Sequence, residues 1–415
     1  MDVADTTYTG TLQISVVSAL GMAPISGATV TISYTGDPDS PIETLTTDES
    51  GQTPEINLKA PPRELSLTPD ITAQPYSEYN IQVTAEGFEP VLVSGSEILA
   101  GAFSLQPVRM NPLDVTEEEK VVVIPPHTLF GEYPPKIPEE EIKPMNETGE
   151  IVLSRVVIPE YVIVHDGDPE DPTARNYWVR YKDYIKNVVS SEIYPTWPES
   201  AIYANILVIQ SFTLNRIFTE WYRGRGYDFT ITSSTAYDQK WVYGRNVFEE
   251  IDYLVDSIFT NYLSRPGVRQ PIFTSYCDGN RTTCRGLSQW GSKSLADRGY
   301  SAIDIIHYYY GNDMYINSAD IVSGVPSSWP GYDLTIGSSG EKVRQLQQQL
   351  NRIARNYPAI PTLTPDGIYG TDTAEAVRMF QKIFHLPQTG IVDYPTWFEI
   401  SDIYVGVTRI SEPDV

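Results

Sequence analysis

Residues 184–217 read YIKNVVSSEIYPTWPESAIYANILVIQSFTLNRI and set the fold of the middle of the chain. On either side of a break at Pro195 and Pro198, apolar residues recur with helical periodicity. Two buried helices joined by a sharp turn are therefore predicted. One carboxylate, Glu192, stands at that break, with Val188, Val189, Ile193, Tyr194 and Trp197 near it in sequence. An acid placed here has two readings. It can favour the start of the following helix near Pro198, where negative charge meets the positive end of the helix dipole. Or it is an acid in an apolar pocket, the setting proton-transfer chemistry uses because burial favours the protonated form.

The chain around this stretch has 415 residues, enough for two to four domains, and its 41% hydrophobic content with 11% aromatics excludes global disorder. The 28 tyrosines suit stacking on sugar rings and serve equally as core residues. A net charge of −25 speaks against a nucleic-acid partner. That charge is uneven: residues 1–155 carry 24 acids and 7 bases, residues 156–415 carry 30 and 22. The front of the chain thus reads as an acidic attachment to a more balanced body. No stretch approaches the ~18 apolar residues of a membrane span, so none is expected. The opening MDVADTTYTG has neither a basic nor an apolar leader segment, so no secretory signal is expected.

The fold class is predicted to be multidomain α+β. Residues 1–110 alternate apolar and polar residues between Gly, Pro and Asp turns, as in GATVTISYTG and EYNIQVTAEGFEPVLVSG, and read as an all-β unit without catalytic residues. Residues 111–155 turn rich in proline and glutamate (IPPHTLFGEYPPKIPEEEIKP). They read as an extended, poorly packed linker open to proteases. Residues 156–328 form an α+β body, in which NVFEEIDYLVDSIFTNYL reads as a helix and RQPIFTSYCDGN as a strand entering a loop. Cys277 and Cys284 leave a disulfide and two free thiols both open. A zinc site would need two further ligands and no histidine lies nearby, so no metal or other cofactor is expected. Residues 329–415 read as a small helical unit, an amphipathic helix (GEKVRQLQQQLN) followed by two loop-then-helix repeats.

Several of these segments resemble known families. PISGATVTISYTG with TLTTDESGQ resembles the prealbumin-like or carboxypeptidase-regulatory sandwich. VVSSEIYPTWPESAIYANILVIQSFTL, with GLSQWGSKSLADRGYSAIDIIHYYYG at 286–311, resembles the catalytic domain of stage II sporulation protein D, a family of peptidoglycan lytic transglycosylases. GEKVRQLQQQLN, DGIYG, AVRMFQ and TGIVDYPTW resemble the type 1 peptidoglycan-binding domain. The order of modules, with VVIPEYVIVHDG, NRIFTEWYR and FTITSSTAYDQ, is similar to clostridial spore cortex-lytic enzymes of the SleC type.

The resemblance implies that Glu192 is the catalytic acid of a lytic transglycosylase, which needs one carboxylate where a hydrolase brings two. It places Tyr194, Tyr237, Gln239, Ser288, Gln289 and Trp290 at the substrate. Trp290 stands where tyrosine is commoner, which keeps a stacking surface and removes a hydroxyl. In the C-terminal unit, Asp366, Tyr369 and Trp397 are expected at peptidoglycan, while Leu346, Leu350, Val377 and Phe380 are core. The resemblance further implies spore cortex peptidoglycan as substrate, location in the spore, and storage as a proenzyme. A subtilisin-like protease would cut it near 150–157, close to Arg155 and Val156. A non-catalytic wall-binding protein that recruits or enhances an amidase is the alternative, and Glu192 discriminates between the two.

Overall fold

The computed structural model describes residues 8–113, 120–143, 155–325 and 329–408. The first part is eight strands: β1 (Thr9–Ser18), β2 (Thr29–Tyr34), β3 (Asp37–Thr46), β4 (Ile56–Lys59), β5 (Ser77–Thr84), β6 (Val91–Ile98), β7 (Phe103–Met110) and β8 (Lys120–Val123). One sheet runs β3-β2-β5-β6-β8 and the other contains β7-β1-β4. The period-two pattern explains both, because alternate residues such as Leu12, Ile14, Val30, Ile32, Ile81 and Val93 point into one shared core. The front of the chain is thus N-terminal β sheets, and they take in β8 from the stretch expected to be linker.

The central part contains β9 (Val157–Ile158), β10 (Tyr161–His165), β11 (Asn176–Arg180), α1 (Tyr181–Glu192), α2 (Glu199–Phe218), β12 (Ile231–Thr232), β13 (Val247–Phe248) and α3 (Glu249–Ile258). It continues with β14 (Asn261–Ser264), β15 (Tyr276–Cys277), β16 (Leu287–Ser288), α4 (Gln289–Asp297), α5 (Ala302–Tyr310), β17 (Tyr315–Ser318) and β18 (Ile321–Val322). The two predicted helices are α1 and α2, with the break between them at 193–198. α2 is buried almost all round, from Ala204 to Arg216, and touches α1, α3, α4 and α5, so it is the rod on which the body is built. One expected helix is shorter than its pattern. Residues 261–264 leave the helix to pair antiparallel with β17, and Leu263 N–H donates to Ser211 Oγ at 2.8 Å. Tertiary pairing overrides local periodicity there.

The C-terminal unit is α6 (Glu341–Ala354), α7 (Thr371–Ile383) and α8 (Tyr394–Thr408) around Leu346, Leu350, Val377 and Phe380. It is not free of the body. α8 lies on α3, and Lys182 of α1 binds Glu399 (2.5 Å) and Asp402 (2.9 Å) of α8 in a buried cluster with Asp256.

The N-terminal sheets are joined to the body just as firmly. β13 adds to the edge of β7 (Val247 opposite Leu105), making that sheet four-stranded. Arg245 pairs with Glu97 at 2.9 Å, both about 1% exposed. Burial lifts the Glu97 carboxyl to about 7, while the Arg245 guanidinium opposes that rise. A second correction concerns the stretch expected to be poorly packed. Residues 124–143 are extended, but His127, Leu129 and Lys143 are buried against the body. Proline denies this stretch a helix or ladder, yet its carbonyls and glutamates find partners on the body instead.

Candidate functional site

Glu192 is the last residue of α1, not the cap of α2, whose N-cap is Pro198. The helix-start reading therefore falls. A carboxylate at a helix C-terminus meets the negative end of the dipole, which costs about 0.3–1 kcal/mol. Its place has to be explained by its partners. Lys240 N–H donates to Oε1 at 3.0 Å, Tyr276 Oη–H donates to Oε1 at 3.2 Å, and Gln289 Nε2–H donates to Oε2 at 3.1 Å. The Lys136 ammonium lies 4.0 Å from Oε1. Glu192 itself is 4% exposed.

Each partner is brought in by a different element. β15 and β16 pair in parallel, Tyr276 with Leu287, and this sets Tyr276 and the start of α4 side by side at the end of α1. Ser288 caps α4 by accepting from Gly291 N–H at 2.9 Å. Gly291 admits no side chain, because a Cβ there would lie 2.0 Å from Tyr309 Oη and 2.8 Å from Ser288 Oγ. The spacing of SQWG thereby points Gln289 at Glu192. Beside them, Tyr194, Trp197 and Trp290 form an aromatic cluster, with the two indoles 4.9 Å apart and the Tyr194 and Trp290 rings 6.2 Å apart. Burial, then the nearby Glu192 charge, holds the Tyr276 hydroxyl well above the ordinary tyrosine range.

The expected substrate residues divide. Gln289 touches the acid, Tyr194 and Trp290 stand in the aromatic cluster, and Ser288 fixes the helix that carries Gln289. Gln239 is fully buried and its amide is spent on Tyr184 Oη, Thr213 Oγ1 and the Ile209 carbonyl, so it supports the site from behind. Tyr237 is half-buried, and its carbonyl accepts from Arg216. Asp238 is fully buried and committed to Arg216 (2.7 Å), Tyr222 (2.7 Å) and Thr232 (2.9 and 2.7 Å).

Cys277 and Cys284 are disulfide-bonded, which removes both thiolates as ligands. Arg155 is exposed and Val156 is buried, while residues 150–154 of the expected processing segment lie outside the described residues. Sequence reasoning missed Tyr276, the Lys240 amide and Lys136. The available signal was Lys136, one of two bases in the acidic stretch from 124 to 154.

Of the expected wall-binding residues, Tyr369 and Trp397 are buried and Asp366 is exposed. Trp397 and Tyr369 are each 1% exposed, and Tyr369 Oη–H donates to the Gly390 carbonyl at 3.0 Å. Asp366 accepts from Ile368 N–H (2.8 Å) and Gln347 (3.0 Å), which hold its carboxyl below the usual range. These contacts build the DGIYG loop and the core beneath it.

Residues 339–398 match the model of a family described as a putative peptidoglycan binding domain. The chain therefore carries a peptidoglycan-binding domain towards its C-terminus. No curated protein matches the chain. Among solved structures, it is similar to a 5-hydroxyisourate hydrolase of Klebsiella pneumoniae at 16% identity and a TM-score of 0.18, over 25% of this chain and 92% of that one. The minor pilin GBS52 of Streptococcus agalactiae is similar at 13% identity and a TM-score of 0.18, over 27% of this chain and 48% of the pilin. Catechol 1,2-dioxygenase of Acinetobacter sp. ADP1 is similar at 13% identity and a TM-score of 0.18, over 29% of this chain and 60% of the enzyme. No helix among the described residues is long and apolar enough to cross a membrane.

Proposed function

We propose that the chain is a spore cortex peptidoglycan lytic transglycosylase, with a stage II sporulation protein D-like catalytic body and a proenzyme form that proteolysis activates. One observation carries the reading. Glu192, at the electrostatically unfavourable end of α1, is bonded by Gln289 of the SQWG turn and by Tyr276, beside three aromatic rings. Donors of this kind position a carboxyl for proton transfer, and the three rings, buried beneath His127 and the N-terminal sheets, offer flat faces to sugars only when those are moved aside.

In the proposed reaction, Glu192 gives its proton to the oxygen that leaves N-acetylmuramic acid C1, and the β-1,4 bond breaks. The 6-hydroxyl oxygen of the same sugar closes on C1, and Glu192 takes up the hydroxyl proton. The product is a 1,6-anhydro ring, no water is consumed, and the acid is regenerated. Asp238 is fully committed to its own partners, so the second carboxylate of a hydrolase is not supplied from there.

The test is mass spectrometry of fragments released from purified spore cortex by residues 156–415, separated in denaturant from the N-terminal part after cleavage and refolded, beside the same protein with Glu192→Gln. Anhydro-muramyl ends that vanish in the variant are expected. Reducing ends would point to hydrolysis. Release by neither protein would favour a wall-binding protein that assists an amidase.

A further inference from the structure

Residues 124–143 run from the end of β8 across the central body and over Glu192. His127 stacks on Tyr194 with ring centroids 4.5 Å apart, and Thr128 binds the Ser191 carbonyl through N–H (3.2 Å) and Oγ1–H (2.7 Å). Arg281, inside the disulfide loop, donates to the carbonyls of Thr128, Phe130 and Gly131. Lys136 then reaches inward. Its Nζ lies 4.2 Å from the centre of the Tyr276 ring and 4.0 Å from Glu192 Oε1, and donates to the Asp238 carbonyl. Burial pulls this ammonium below the ordinary lysine range, against the attraction of Glu192.

Beyond Lys136 the stretch binds as a peptide lies in a groove. Ile137 N–H donates to the Ala236 carbonyl (2.7 Å), and Phe273 N–H donates to the Glu141 carbonyl (2.8 Å). Glu139 pairs with Arg216 (2.6 Å), Glu141 pairs with Arg265 (2.7 Å), and the Gln270 amide brackets the Lys143 backbone at 3.1 Å on both sides. Backbone bonds of this kind give affinity, while pockets for side chains give register.

We infer that residues 124–143 are an intrachain competitor lying in the substrate groove, that Lys136 is the contact which bars a glycan oxygen from Glu192, and that a cut between 143 and 155 activates the enzyme only once the strap is displaced, the cut alone leaving the site covered. The inference rests on the proposed transglycosylase reading. A cut there severs none of the contacts described for the strap, all of which lie between residues 127 and 143. Its front end continues into β8, which pairs with β6, and the N-terminal sheets are held independently. β13 pairs with β7, Arg245 with Glu97, Trp197 Nε1–H donates to the Ser66 carbonyl (2.9 Å), and Ser66 and Thr196 hydroxyls bond at 2.7 Å. The strap's glutamates also mark what the groove accepts. Arg265, shared by Glu141 and Asp313, would turn its Glu141 side to a carboxylate of an anionic, muramic-acid-bearing glycan once the strap leaves, whereas Arg281 keeps Asp278 as its carboxylate partner. Substrate and strap therefore compete for the same charge.

The test uses the full chain with a sequence-specific protease site placed between residues 146 and 153. After cutting, native mass spectrometry reads whether the two fragments stay together, and release of anhydro-muropeptides from cortex reads whether the site is open. The cut chain is expected to remain one particle. It is expected to release about tenfold less than the same cut chain carrying Lys136→Met and Glu141→Gln, the factor that follows when about 1.4 kcal/mol of strap affinity is lost. Glu141→Gln alone, at a partly exposed pair, should give a smaller gain and guards against misfolding of the double variant. Immediate separation of the fragments, or equal release by both proteins, would overturn the inference and leave the enzymatic reading standing. Release by neither would overturn the enzymatic reading. Amide exchange at Ile137 and Phe273 then decides the strap, slow in the cut chain if it stays docked and fast if it does not.

Discussion

Replacing Glu192 by glutamine separates a catalytic acid from a structural one, because the two roles differ widely in size. The amide keeps one acceptor oxygen, which can still take the Lys240 N–H and the Tyr276 hydroxyl now at 3.0 and 3.2 Å. The other atom becomes an NH₂ facing Gln289 Nε2, a clash of donors that Gln289 relieves by turning its own carbonyl round. At most one charge-assisted hydrogen bond is lost, about 1.5 kcal/mol. Removing a negative charge from the C-terminus of α1 returns about 0.3–1 kcal/mol. The folded state should thus change by no more than about 1 kcal/mol, a shift of a few degrees at most in the melting of a chain this long. The chemical step should fall about 10²–10⁴-fold, because the group that protonates the leaving oxygen is gone. That factor is about 3–5 kcal/mol of barrier. The assay is anhydro-muropeptide release in the background carrying Lys136→Met and Glu141→Gln, with thermal melts of the same samples. Release above about a tenth of the parent, with an unchanged melt, would refute Glu192 as the acid. A loss of release that merely followed a large drop in melting would refute the estimate of its structural role.

The remaining predictions concern how the parts hold together. Trp397→Ala should cost about 3–5 kcal/mol, as expected for emptying a buried indole site, while the folded fraction still binds insoluble peptidoglycan. Lost binding with unchanged unfolding would instead make Trp397 a ligand contact. Arg245→Met leaves Glu97 buried without its cation and should cost about 3–5 kcal/mol, read as separation of the two fragments of the cut chain on gel filtration. His385, beside Phe103 of β7, is pushed down to about 4 by burial and by Lys186, and burial also drives His127 well below its ordinary range. Both imidazoles stay neutral in the folded chain while the unfolded chain takes up protons below about 6.5. Their contribution is present above that pH and is lost as pH falls towards 4, on the order of 3 kcal/mol for His385. Melting temperature should drop across that window in the parent and less steeply in His385→Phe.

Local pattern carried much of this architecture. Alternation in residues 9–18 specified a strand with Leu12, Ile14 and Val16 inward, since a strand's faces repeat every two residues. The apolar runs around Pro195 and Pro198 specified α1, α2 and the break beside Glu192, and the C-terminal repeats specified a helical peptidoglycan-binding domain. What tertiary structure alone decided was partnership. Tyr276 and Gln289 reach Glu192 from 84 and 97 residues away, and Lys136 comes from the opposite side of the chain. Periodicity reports which face of an element is buried, not which distant side chain meets it. For the same reason Trp397 and Tyr369, aromatic and placed in loop-helix motifs, proved to be core. Residues 124–143 of the acidic stretch that read as loose linker are bound to the body, because Arg216, Arg265 and Arg281 come together only once the body has folded.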